Sequence, residues 1–329
     1  MPDVVCMGIL VADVWAKPVN EWPEHGRLSL VDRIGIGIGG CASNCAIDLA
    51  KLGVSVAAMG KVGDDGFGNF IVQTLESYGV QARVARSTEA GSSATMVFID
   101  DQGERTFIHY IGANATLRPE DLDMDLITSS RILHFAGALV MPGFDGEPAA
   151  SVLRAAREAG VITCLDTVWD ATGRWMEVLE PCLREADVFL PSLPEAQKLT
   201  GETDPPAVAE KLLSYGVEIV ALKMGEQGSY VRNRTGLEYQ VPIYPVEAVD
   251  GTGSGDAYAA GFIFGLLRGW PLEKTAKFAN AVGALCVTAL GTVAGVRSYE
   301  ETLQWLATIE PDYWKAQQEP EPEAEGDVA

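Results

Sequence analysis

The residues with the clearest chemistry form one short run, Asp250-Gly251-Thr252-Gly253-Ser254-Gly255-Asp256, which leads into an apolar, small-residue stretch at 257–267. Glycines alternating ahead of a helix place consecutive backbone N–H groups at its N-terminus with no bulky side chains in the way. Such a terminus attracts anions, because those N–H groups have no intrahelical partner and lie at the positive end of the helix dipole. A carboxylate at Asp256 repels bound phosphate, so the run is poorly built for binding alone. As a base that takes a proton from a hydroxyl while the N–H groups stabilise a phosphoryl group in transfer, Asp256 makes sense. Taken by itself, the run favours the plainer reading of the acid as a helix cap.

A second glycine run, Gly35-Ile36-Gly37-Ile38-Gly39-Gly40-Cys41-Ala42-Ser43-Asn44, precedes an expected helix at 45–52. Its spacing matches the dinucleotide fingerprint, but the segment before it alternates like a half-exposed strand rather than reading as a buried first strand. Close backbone approach to a small ligand fits better, with the Asn44 amide able to donate to and accept from a hydroxyl. Asp13 ends the apolar run 3–11, at the carboxyl end of an expected buried strand, where it suits either a ligand contact or a turn.

These residues must be positioned by a regular alternation of elements. Strands are expected at 54–59, 80–84, 131–135, 161–166, 187–190 and 217–223. Helices are expected at 66–78, 147–159, 174–185, 195–199, 207–215, 272–290 and 300–308. The fold class is α/β: a doubly wound, mostly parallel sheet with helices on both faces. Two β patches stand outside this rhythm, one alternating over 27–39 and one at 94–100 and 104–110 joined by a hairpin turn. They predict a small β-sheet lid, with lid segments at about 14–38 and 94–110 of a single domain spanning 1–310. The remainder, 311–329, reads as an acidic, disordered tail rich in Glu and Pro.

The bulk properties narrow the partners. The 329 residues are 47% hydrophobic and carry a net charge of −22, which argues against nucleic acid and anionic membranes. No apolar run approaches the length of a membrane span and no secretion signal opens the chain, so a soluble, cytoplasmic protein is expected. The six cysteines read as small core residues of a reducing compartment. Cys41 and Cys45 are spaced to share a helix face, but no histidine accompanies them for a metal. His25, His109 and His134 are scattered, and only His109, in the lid, is a candidate substrate contact. Neither a P-loop nor a protein-kinase catalytic loop is present.

Together, the Gly39–Asn44 and Asp250–Asp256 runs resemble the two signatures of the ribokinase-like (PfkB) family of small-molecule kinases. Three further runs fit in order and spacing: Gly103-Glu104-Arg105-Thr106 with Gly112-Ala113-Asn114, Lys223-Met224-Gly225-Glu226-Gln227-Gly228, and Ala279–Leu285. The resemblance covers about residues 3–308. It implies ATP-dependent phosphorylation of a hydroxyl on a sugar or polyol, with Asp256 as general base and the backbone of Gly253, Ser254 and Gly255 as anion hole. Asp13, Gly39, Gly40 and Asn44 would hold the acceptor. Lys223, Gly225 and Gly228 would lie along the phosphates of ATP, and Asn280 near the adenine. Glu195 would act on Mg²⁺ through water, and Asp250 and Thr252 fall where some members bind a monovalent cation such as K⁺. The lid is a dimer contact in some members, which makes a homodimer the implied assembly.

Two departures stand out. The family's Asn-x-x-Glu reads Ser192-Leu193-Pro194-Glu195 here, without the amide. Gly251 and Ser254 replace the usual Thr and Ala, both small enough to keep the loop. A nucleoside kinase of the same fold is the alternative, with Trp15, Trp22, Phe107, His109 and Trp169 as candidate walls of a base slot. A catalytically silent ligand-binding regulator is the second alternative, and it predicts damage to the base or loop that the sequence does not show. Asp166 and Asp170, an acid pair at a strand end, receive no role.

Overall fold

The structure, a computed structural model, describes residues 1–316. Its elements run β1 (Val4–Gly8), β2 (Val11–Lys17), β3 (Arg33–Gly39), α1 (Cys41–Lys51), β4 (Val56–Gly63), α2 (Gly66–Ser77), β5 (Gln81–Ser87), β6 (Ala94–Ile99) and β7 (Arg105–Tyr110). Next come α3 (Met124–Thr128), β8 (Ile132–Ala138), α4 (Glu147–Glu158), β9 (Ile162–Thr167), α5 (Met176–Leu183), β10 (Val188–Phe189), α6 (Leu193–Thr200) and α7 (Pro205–Leu213). The chain continues through β11 (Ile219–Lys223), β12 (Ser229–Asn233), β13 (Glu238–Val241), α8 (Ser254–Leu267), α9 (Leu272–Cys286), α10 (Tyr299–Ile309) and α11 (Pro311–Ala316).

Nine strands form the main sheet in the order β13-β12-β11-β10-β9-β8-β1-β4-β5. From β11 to β5 every pairing is parallel. Such strands are covered on both faces, which is why they read as unbroken apolar runs. One core packs α1, α8 and α9 against the sheet, and the other packs α4 to α7 against the opposite face. Strands β12 and β13 add an antiparallel edge that the alternation of strands and helices did not announce. The chain leaves β1 for β4 on one side and later returns to β8 on the other. The crevice at the carboxyl end of β1 is therefore the switch point where such sheets bind ligands.

The expected strand 3–11 is two strands in two sheets. β1 ends at Gly8, and β2 begins the second sheet, whose order is β3-β2-β6-β7. Between them, buried Asn114 clamps both polar groups of Leu10, accepting from its N–H at 3.3 Å and donating to its carbonyl at 3.1 Å. That satisfies a backbone which would otherwise be buried unpaired. Asp13 therefore lies inside the lid sheet, opposite Gly37 and Thr95, and not at the end of a core strand.

Other boundaries shift for local reasons. Helix α1 starts at Cys41 rather than 45, because Gly40 is its N-cap. The alternating stretch 27–39 is a strand only from Arg33. The first residues of the expected tail form α11, where Trp314 is 2% exposed against the core. Residues 317–329 lie outside the described residues. No described helix is long and apolar enough to cross a membrane.

Candidate active site

Helix α8 is apolar almost all round and buried from Ala257 to Gly265, held between α1 and α9. Such a helix is fixed by its packing, so its N-terminus is a rigid platform. Its N-cap is Gly253, not Asp256, and the first helical bond runs from Ala257 N to Gly253 O at 2.9 Å. Gly253 takes φ +82°, and a Cβ there would lie 2.2 Å from the carbonyl of Thr292, so only glycine fits. Asp256 sits in the first turn, where it accepts a 2.8 Å hydrogen bond from Asn44 Nδ2. The oxygen of the same amide, Asn44 Oδ1, is buried with no hydrogen-bond partner among the described residues. That leaves it able to accept from a hydroxyl.

The loop 250–256 is a partition between two cavities. One, of about 690 Å³, lies under the lid and is lined by Asp13, Gly39, Gly40, Asn44, Asp250, Thr252, Gly253 and Asp256. The other, of about 460 Å³, is lined by Lys223, Gly225, Gly228, Ser254, Gly255 and Asn280. Every residue to which the resemblance gives a role in catalysis or binding, except Glu195, thus borders one cavity or the other.

The inner face of the lid is layered by the register of its strands. Gly37, Asp13, Thr95 and His109 form one row across the four strands, and Gly35, Trp15, Val97 and Phe107 the next. Of the three β3 glycines, Gly35 and Gly39 leave room for neighbouring side chains, whereas the space beside Gly37 is open. A Cβ at Gly35 would meet the Trp15 ring at 2.3 Å, and one at Gly39 would meet the Asp13 carboxylate at 2.2 Å. Burial raises the Asp13 carboxyl above its ordinary range, and a hydrogen bond from Thr95 offsets part of that. His109, whose Nδ1 lies 3.1 Å from Thr95 Oγ1, is lowered by burial. Trp15, Phe107 and His109 do line the cavity, but Trp22 packs on Phe98 and Trp169 on Trp175.

On the other side of the loop, Lys223 Nζ reaches Asp166 Oδ2 at 2.6 Å, both side chains nearly buried. Burial pushes the Asp166 carboxyl up to about 7 against the pull of Lys223. Burial works the other way on the lysine, but Asp166, Glu195 and Asp256 hold its pKa above the ordinary range, so it stays charged. Glu195 is committed locally. Its Oε2 accepts from Ser192 N at 3.0 Å in a capping box and from Thr167 Oγ1 at 3.3 Å. The Asn280 side-chain amide also braces the fold, donating to the carbonyls of Val241 and Pro242 at 3.0 and 3.1 Å.

The sequence reading left Asp166 and Asp170 undivided, and the structure separates them. Asp166 enters the site through Lys223. Asp170 folds a turn, accepting from Thr172 and Trp175 backbone N–H groups at 2.7 and 2.6 Å. Arg105, quoted only as part of a run, pairs with Asp250 and donates to Thr252 Oγ1 across the lid cavity. The available signal was its phase, since Arg105, Phe107 and His109 share one face of β7. Cys41 and Cys45 are free thiols on α1, and no metal cluster of three or more His, Cys, Asp or Glu occurs among the described residues.

A model of the pfkB family of carbohydrate kinases matches residues 1–298, which takes in both sheets and the loop. An uncharacterized sugar kinase of Archaeoglobus fulgidus is 30% identical over 250 residues, 75% of this chain and 97% of that protein. The 2-dehydro-3-deoxygluconokinase of Bacillus subtilis is 29% identical over 317 residues, 93% of this chain and 95% of that enzyme. Among solved structures, Arabidopsis thaliana ribokinase complexed with ribose and ATP aligns with a TM-score of 0.82 at 25% identity, over 93% of this chain and 98% of that one. Lid, main sheet and partitioning loop all fall within these matches, and the chain belongs to the pfkB family of carbohydrate kinases.

Proposed function

We propose that the enzyme transfers the γ-phosphoryl group of ATP to a hydroxyl of a small sugar or polyol held under the lid, with Asp256 as general base. The observation that carries this reading is the Asn44–Asp256 hydrogen bond of 2.8 Å, at the partition between two cavities. Asn44 on α1 fixes one carboxylate oxygen of Asp256, which leaves the other to take the acceptor's proton. Asp13 and the backbone of Gly39 and Gly40 orient the acceptor from the lid side. Across the loop, Lys223, Gly225 and Gly228 hold the phosphates, with Asn280 at the adenine end. The N–H groups of Gly253, Ser254 and Gly255 face the charge that builds up in transfer. The lid keeps water from competing as acceptor. The sugar kinases among the relatives, and the ribose and ATP named for the Arabidopsis structure, support both ligands.

Mg²⁺ fits the donors present, because it is commonly held by one or two carboxylates, water and the phosphates themselves. Glu195, whose two hydrogen bonds both go to Oε2, would act on its water shell and help neutralise the phosphates.

The outer face of the lid supports a second copy as partner. Ile36, Val14, Met96 and Ile108 form one row across all four strands, and Met96 and Ile108 are 51% and 52% exposed. An apolar row of this kind on a sheet is a surface built for association.

The test is ATP consumption with Mg²⁺ over a panel of sugars, polyols and nucleosides, run beside Asp256→Asn. Turnover on a sugar or polyol should fall by about 10²–10⁴-fold in the variant. Turnover confined to nucleosides would assign the Trp15–Val97–Phe107 row to a base. Equal turnover in both proteins would sink the assignment of the base.

A further inference from the structure

We infer that Arg105 is a positioning residue for phosphoryl transfer, a cation delivered by the lid that takes the place of a bound monovalent ion at Asp250 and Thr252. The inference rests on the kinase reading above and adds a requirement to it: transfer needs the lid hairpin, but no K⁺.

Asp250 ties three parts of the site together. Its side chain is 4% exposed. Oδ1 accepts from Thr252 N, and Oδ2 accepts from Gly291 N, each at 2.8 Å. The guanidinium of Arg105 pairs with Oδ1 and also donates to Thr252 Oγ1. Thr252 immediately precedes Gly253, so fixing it sets where the N–H groups of the α8 terminus point. A carboxylate this deeply buried is costly without a countercharge, and here it lies beside the place where phosphate charge would collect. Arg105 supplies the countercharge. A planar guanidinium suits the task, because it bridges two acceptors in fixed geometry.

The residues present do not fit a second cation at this carboxylate. Both oxygens already accept backbone hydrogen bonds, and one also faces the guanidinium. Lys51 does not substitute for Arg105, because it is committed to carbonyls of the loop at 291–294, donating to Val293 O at 2.7 Å. Arg105 lies on β7, opposite Ile99 of β6. When the lid hairpin moves away, the charge goes with it. Closure over the acceptor and organisation of the transfer loop are therefore one event.

The experiment compares wild type, Arg105→Gln and Arg105→Lys in choline chloride and in KCl. Turnover is read on the acceptor found in the panel, and affinity for a non-hydrolysable ATP analogue is read by calorimetry. Wild-type turnover and affinity should change less than twofold between the salts. Arg105→Gln should lose at least tenfold in kcat with a smaller change in the KM for ATP, and recover in KCl or millimolar guanidinium. Arg105→Lys should stay salt-insensitive. Melting curves show whether each variant is folded. A wild-type enzyme stimulated tenfold by K⁺ overturns the inference, as does an Arg105→Gln variant that turns over normally or that no cation restores. A wild type that binds the analogue equally in both salts but phosphorylates nothing counts against the kinase reading instead.

Discussion

Two ion pairs flank the transfer loop, and they are anchored differently. Lys223–Asp166 joins two strands of the main sheet across β10, namely β11 and the end of β9, with the lysine 14% and the aspartate 2% exposed. Arg105–Asp250 joins the lid to the loop with nearly the same burial, 17% and 4%. Burial alone would rank them as equals. The first, however, sits on strands packed on both faces, whereas the second depends on a hairpin with an open outer face. On the proposed function, the first charge is a fixed part of the phosphate side. On the inference drawn from Arg105, the second is present only while the lid is down. In a kinase the distinction is useful, because a loop that is fully organised without an acceptor would transfer phosphate to water.

Removing the permanent charge should have the largest effect. Lys223→Met takes away the proposed phosphate contact and leaves Asp166 buried without its cation. The kcat/KM for ATP should fall about 10²–10³-fold, and stability should drop by roughly 3–5 kcal/mol, the range for breaking a buried pair. Lys223→Met combined with Asp166→Asn should regain most of that stability and none of the turnover. Arg105→Gln should differ on both counts, with a rescuable loss of kcat and little change in melting, since an open lid lets Asp250 hydrate. Equal destabilisation by the two single variants would break the comparison.

Asp166→Asn is a smaller perturbation that sharpens it. The amide keeps an oxygen for Lys223 but gives up the charge that holds it. About a tenfold loss in kcat/KM for ATP is expected, the scale of one charge-assisted hydrogen bond. The KM for the acceptor should be unchanged, because Asp166 does not border the lid cavity. A matching rise in acceptor KM would show that Asp166 acts on both sides of the loop.

Much of this arrangement was legible in the sequence, for reasons that also explain what was not. Buried parallel strands announce themselves as apolar runs, and the two glycine runs mark places where the backbone must approach something closely. Both signals are local. The break between β1 and β2 was hidden because residues on either side are equally apolar, and only the Asn114 clamp, more than a hundred residues away, shows where the chain changes sheets. The pairings of Arg105 with Asp250 and of Lys223 with Asp166 join segments 145 and 57 positions apart. Charge spacing along the chain carries no trace of such partners. Trp22 and Trp169 failed as pocket walls because an aromatic residue in sequence says that it packs, not on what.

Asp48 is a third buried acid beside the loop, and it lacks what the other two have. It lies on α1, one turn beyond Asn44, and neither carboxylate oxygen has a hydrogen-bond partner among the described residues. Burial first, and Asp256 second, raise its pKa well above the ordinary carboxylate value, while Lys51 opposes them weakly. The folded protein therefore keeps a proton that the unfolded chain releases. The stability this contributes is complete below the ordinary carboxylate range and is lost as pH rises toward the raised folded value. Asp48→Asn removes the titration and keeps the shape. Its melting temperature should match wild type near pH 4 and move above it as pH increases, with a slope of up to about 1.4 kcal/mol per pH unit. Turnover should change less than a few-fold, because Asp48 borders neither cavity. A variant less stable than wild type at pH 8 would mean that Asp48 is ionised and held by a cation, which would make it a third pair rather than the exception.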